Sequence, residues 1–180
     1  MKTRIFTVIA TTVALAASVS ANAADRNSGK ATVEVNYHEP ENFADFKMTE
    51  RYLESDAKAL EKELTKAIER AADRTLPPGY TLNVRFTDID LAGDVNPFQR
   101  INLRDVREYR GVYPPRLVFE YAIVDTAGNT VLSGSERLVD MAYDMRLRMP
   151  GSEYTRIEAE MLRDFVHGLG SKIAKGHSNA

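Results

Sequence analysis

Tyr80 to Asp94 reads YTLNVRFTDIDLAGD, and the alternation of its apolar residues decides the fold. Leu82, Val84 and Phe86 are apolar, while Asn83, Arg85 and Thr87 between them are polar. That period of two marks a half-buried strand, expected over Tyr80 to Thr87 and leaving the sheet at Asp88. The parity then changes, because Ile89 and Leu91 continue the apolar series on odd numbers. A one-residue slip turns a strand's side chains to the opposite face. The stretch therefore predicts a bulge or bend, where one extra residue flips the buried face. Gly93 supplies backbone freedom for the closing turn, and Asp88 and Asp90 are expected to accept backbone amide hydrogen bonds across the bend.

Working outward, Leu53, Ala57, Leu60, Leu64, Ile68 and Ala71 recur at three- and four-residue steps. This predicts an amphipathic helix over Thr49 to Arg74, with Glu54 placed to pair with Lys58. Leu76-Pro77-Pro78-Gly79 stops it. Before the helix, Val33, Val35 and Tyr37 alternate in a first strand over Ala31 to Tyr37, and His38 to Phe46 reads as a loop. Beyond Asp94, the segment Asn96 to Val112 is either a helical turn or an extended excursion. Arg116 to Asp125 is a strand with apolar residues on both faces, which places it centrally. Thr126-Ala127-Gly128-Asn129 is a hairpin turn to a partner strand over Thr130 to Val139. Met141 to Gly151 reads as a loop. Ser152 is expected to cap a last helix reaching about Lys175, with an inner stripe of Ile157, Met161, Leu162, Phe165, Leu169 and Ile173, weakened near its end by Gly168 and Gly170. The order β-α-β-β-β-α predicts a two-layer α+β fold: a mixed sheet of about four strands, with two helices packed on one face.

The first residues read as an address. Lys2 and Arg4 precede an apolar run from Ile5 to Ala17, and Ala21-Asn22-Ala23 follows. That is the order of a secretory signal peptide, so residues 1–23 are expected to be removed after Ala23 and the protein to work in the periplasm. The run is shorter than the ~20 residues a bilayer span needs. Residues 24–30 are expected to form a flexible arm, 31–175 a single α+β domain and 176–180 a disordered tail, with no transmembrane segment in the mature chain.

Composition removes whole classes of function. There is no cysteine, so neither thiol catalysis nor a cysteine-ligated metal is available. The formal charge is −2, and loss of Lys2 and Arg4 without any acid takes it to −4. Nucleic-acid binding calls for a basic excess and is not expected.

Four landmarks carry a family likeness: Leu76-Pro77-Pro78-Gly79, Asp88-Ile89-Asp90-Leu91-Ala92-Gly93, Tyr113-Pro114-Pro115-Arg116, and Asp140 with Tyr143. Together they resemble the exported bacterial proteins grouped as domain of unknown function 3016. The resemblance implies an exported Gram-negative protein and one intact domain. It carries over no catalytic residue, because that family has no established activity.

The acidic candidates are Asp88, Asp90 and Asp94. As a calcium loop they fail on the donor set, since Ala92 and Gln99 stand where an EF-hand needs ligands. Ser55-Asp56-Ala57-Lys58 matches S-x-x-K without the partner elements of a penicillin-recognising enzyme. His38, His167 and His177 are too scattered to predict zinc, so no metal or cofactor is expected. Arg100, Arg104, Arg107, Arg110 and Arg116, interleaved with Tyr109 and Tyr113, form the denser cluster. Arginine suits carboxylate or phosphate, although local acids (Asp105, Glu108, Glu120) offer ordinary ion pairs. The expected function is non-enzymatic binding of an envelope protein or anionic envelope component, through the wet sheet face or through Arg100, Arg104, Arg107, Arg110, Tyr113 and Arg116. The alternative is a carboxylate-dependent envelope hydrolase using Asp88 and Asp90, with or without a metal.

Overall fold

The parity change in the quoted stretch is a β-bulge. The structure, a computed structural model, describes residues 29–95, 107–146 and 154–177. Strand β2 (Thr81–Asp90) pairs antiparallel with β5 (Arg116–Val124), and the register shifts between Phe86 and Asp88. Thr87 is the extra residue: Phe86 faces Phe119, and Asp88 already faces Val118. The flip keeps Ile89 buried together with Leu82, Val84 and Phe86. The strand therefore continues to Asp90, three residues past the end expected from its alternation, because the bulge lets pairing resume beyond Thr87.

Strand β1 (Thr32–Tyr37) lies parallel to β2, and β6 (Thr130–Val139) lies antiparallel to β5. The four-stranded order is β1-β2-β5-β6, so the sheet is mixed and β5 is central, as its two apolar faces required. Helix α1 (Glu54–Thr75) follows β1, and α3 (Arg156–His177) ends the described chain. Both bury their apolar stripes against Leu82, Val84, Phe86, Leu117, Phe119 and Ile123, which gives the expected two-layer α+β arrangement. Val166 joins the buried stripe of α3, while Phe165 is only partly covered, its ring set edge-on to Phe119 and Tyr121. Among the described residues no helix covers the sheet's other face. There Arg85 meets Glu120 across the strands at 3.6 Å.

Other boundaries move for local reasons. Helix α1 starts at Glu54 rather than Thr49. The Thr49 hydroxyl donates to the Arg51 carbonyl at 3.0 Å, a local bond that competes with helix formation. The loop after β1 is not merely a connection, since Phe43 and Phe46 lie in the core. Its Asp45 bridges to the end of β2: the Asp45 N–H donates to the Ile89 carbonyl at 3.1 Å, and the Leu91 N–H donates to the Asp45 carbonyl at 3.0 Å. Within the open middle segment, residues 96–106 lie outside the described residues. Its far end returns as β4 (Arg107–Glu108), antiparallel to β3 (Asp94–Val95). The loop expected from Met141 contains a one-turn helix, α2 (Tyr143–Arg146). The cap residue Ser152 lies outside the described residues, and α3 begins at Arg156. Gly170 does more than weaken that helix. A side chain there would strike Thr75, so the glycine permits close approach of α3 to the end of α1.

Candidate functional site

The bulge decides what stands on the helix-free face. Beyond Thr87 it turns Asp88 and Asp90 outward and sets Asp90 opposite Arg116 in register. Arg116 Nη2 donates to Asp88 Oδ2 at 2.9 Å and lies 3.5 Å from Asp90 Oδ2. Asp88 Oδ1 accepts the Ala44 N–H at 2.9 Å. Asp88 thus takes the backbone amide expected of it, whereas the contact shown for the Asp90 carboxylate is Arg116.

Around this pair opens a cleft of about 640 Å³, within the usual span for ligand pockets. Asp45, Asp90, Asp94, Arg116 and Arg137 supply its charges, and Val112, Tyr113, Val139 and Met141 an apolar rim. It lies at the end of β2, the start of β5 and the end of β6. The rim loop is held from below: the Gly93 N–H donates to the Tyr113 carbonyl at 3.1 Å, and the buried Tyr143 hydroxyl donates to the Arg110 carbonyl. Gly93 has φ 77°, and a side chain there would collide with the Glu108 carbonyl, so both conformation and space demand glycine.

Beneath the cleft lies a buried polar hub. The Arg107 side chain is 2% exposed. Its Nη1 donates to Asp45 Oδ2 at 2.7 Å, the Gly93 carbonyl at 3.0 Å and the Ala92 carbonyl at 3.2 Å. Its Nη2 donates to the Lys47 carbonyl at 2.9 Å, and its Nε to the Tyr154 hydroxyl at 3.0 Å. Tyr154 in turn donates to the Met48 carbonyl at 2.8 Å. One guanidinium thus ties the loop after β1, the turn after β2 and the approach to α3. Burial works against its charge, but the hydrogen bond and charge of Asp45 outweigh that and hold Arg107 above its ordinary range. Beside it, Glu158 Oε1 accepts the Ala92 N–H at 2.6 Å, and Oε2 has no partner. Burial pushes Glu158 up to about 7 against the pull of that amide. Burial also raises Asp90 above the usual carboxylate range, with Arg116 opposing and Asp45 and Asp88 adding to the rise.

The arginine candidates separate by position. Arg100 and Arg104 lie outside the described residues. Arg107 is inside the protein, committed to the hub. Arg110 is exposed and pairs with Glu108 at 2.7 Å. Tyr113 and Arg116 line the cleft together with Asp90 and Asp94. Sequence reasoning did not find Asp45, Arg137, Tyr154 or Glu158. Only Glu158 left a signal there, as an acid inside the apolar stripe of α3. Among the described residues no group of three or more His, Cys, Asp or Glu side chains could hold a metal ion, and no helix is long and apolar enough to cross a membrane.

Fold and site together define a two-layer α+β domain with an ion-paired, apolar-rimmed cleft on the helix-free face of its sheet. The chain belongs to the family described as Protein of unknown function (DUF3016), which matches residues 31–168. No curated protein matches it significantly. Among solved structures it is similar to two dodecamers of PelC from Paraburkholderia phytofirmans. A variant in space group C2 shows 9% identity over 81% of this chain and 88% of that chain, with a TM-score of 0.40. The other, in space group P6, shows 10% identity over 79% and 87%, with a TM-score of 0.38.

Proposed function

We propose that this is an exported periplasmic binding protein whose cleft receives a segment of another envelope protein. The observation that carries this reading is the rim: Val112 is 73% and Met141 70% exposed, beside Tyr113 and Val139, over a charged floor. Exposed apolar side chains gathered beside polar groups mark protein interaction sites and ligand grooves. Export is supported by Lys2, Arg4 and the apolar run Ile5 to Ala17 ahead of Ala21-Asn22-Ala23. An anionic envelope component has less support than a protein partner, because Arg107, Arg110 and Arg116 each already face a carboxylate of this chain.

A photo-reactive residue placed at Met141 tests the reading in intact cells. An adduct of one defined mass is expected from Met141 and none from Glu34, exposed on the far edge strand. Equal labelling from both positions, or none from Met141, would overturn it.

One observation favours a second reading, a hydrolase with Asp90 as proton donor. The Asp90 carboxyl is held above its usual range in a cleft, as such a role requires. Against it, Asp88 is locked between Arg116 and the Ala44 amide and is not free to act as base or nucleophile. Release of product from envelope polymers by the purified protein, lost in Asp90→Asn, would establish the hydrolase.

A further inference from the structure

We propose that the cleft selects a basic side chain, a lysine or arginine carried between apolar residues on an extended segment of the partner. This rests on the reading of the cleft as a docking site and names the chemistry of what docks there.

The charge of the lining is unequal. Among the described lining residues, Asp45, Asp90 and Asp94 stand against Arg116 and Arg137, leaving one negative charge in excess. Arg116 is already shared between Asp88 and Asp90. Asp94 has no side-chain partner among the described residues. Asp45 gives a second, independent sign. It is 8% exposed and lines the cleft, and Arg107 occupies its Oδ2, yet its Oδ1 has no partner. An ionised carboxylate offers about four acceptor positions, and a buried one left short of donors is costly. A ligand ammonium or guanidinium would supply those donors through charge-assisted bonds, stronger than neutral ones. Burial raises Asp90 above the usual carboxylate range and the nearby Asp45 and Asp88 add to the rise, so a cation placed beside it would be favoured.

The rim argues for a peptide rather than a free amine. Val112 and Tyr113 come from one segment, Val139 and Met141 from another, so apolar surface stands on two sides of the charged floor. The cleft volume is several times what an ammonium group fills. Strand β6 is an edge of the sheet and ends at Val139, in the cleft wall. Such an edge offers unpaired backbone groups to an extended segment. In that conformation alternate side chains repeat every ~7 Å. Among the described lining residues an acidic segment would meet three carboxylates, with Arg137 and the unpartnered Nε of Arg116 as its cationic donors.

The test uses the purified protein and two dye-labelled, end-blocked peptides, one alternating valine with lysine and one alternating valine with glutamate. Fluorescence anisotropy should show binding of the lysine peptide and none of the glutamate peptide. Asp94→Asn should weaken lysine-peptide binding about tenfold, the equivalent of one charge-assisted contact of ~1.4 kcal/mol. Asp94 has no side-chain partner among the described residues, so an unchanged melting curve is expected and separates lost binding from lost folding. Preference for the glutamate peptide, binding unaffected by Asp94→Asn, or no binding of either peptide would overturn the proposal. If the Met141 adduct forms in cells while the lysine peptide fails, the docking reading survives and the ligand class does not. If neither is seen, the docking reading itself falls.

Discussion

Replacing Arg107 with methionine should be among the most damaging single changes in the protein. Methionine matches much of the arginine's apolar length but removes all five hydrogen bonds: those to Asp45, Ala92, Gly93, Lys47 and Tyr154. Those bonds are not additive. The dominant cost is the Asp45 carboxylate, left buried with neither oxygen partnered by a cation. Removing one member of a buried pair costs about 3–5 kcal/mol. Total stability is roughly 5–15 kcal/mol for such a chain, so the variant should be marginal. Urea unfolding followed by circular dichroism reads this directly, as a lowered midpoint with an unchanged slope. Asp45→Asn combined with Arg107→Met should be more stable than Arg107→Met alone, because the orphaned charge is gone. A loss under ~1 kcal/mol for Arg107→Met, the range of an exposed ion pair, would refute the buried hub.

Further outcomes follow from the same geometry. Glu158 binds its proton more tightly folded, at about 7, than unfolded, at the ordinary 4.5. Its contribution is therefore full below the unfolded value and is lost as pH rises through about 7, a span of ~3 kcal/mol. Glu158→Gln should flatten that part of the stability–pH curve, with Asp45, Arg107 and Tyr109 as the charged and titratable groups around it, and identical curves for both proteins would contradict the assignment. Phe119→Ala should cost ~3–5 kcal/mol as a core truncation, whereas Arg85→Ala should cost under ~1 kcal/mol, both read from urea midpoints. Gly93→Ala should cost ~1–3 kcal/mol or more in the same assay, since φ is 77° and the new side chain meets the Glu108 carbonyl.

The layers were legible in the sequence because they rest on local periodicity. Leu82, Val84 and Phe86 followed by Ile89 announced both the strand and its bulge. Leu117, Phe119, Tyr121 and Ile123 announced the central strand. Part of the candidate cleft was legible too, since Asp90, Asp94, Tyr113 and Arg116 of its lining, and Asp88 that pairs with Arg116, stand out in the sequence. Which of them meet was not, because Asp90 faces Arg116 only in the register the bulge sets. The hub was hidden for a plainer reason. Arg107 reaches Asp45 and Tyr154 across 62 and 47 residues, and Ala92 reaches Glu158 across 66. No local pattern encodes such pairs. In the sequence Arg107 is one arginine in a basic run, and the structure draws it inside, away from the surface role that run suggested.

Hydrogen exchange of the protein with and without its cross-linked partner segment tests the central claim most directly. If the cleft is the recognition site, protection should rise in residues 90–95, 112–116 and 137–141 and stay unchanged along the exposed side of α1. Protection concentrated on α1, or absent from those three segments, would contradict it.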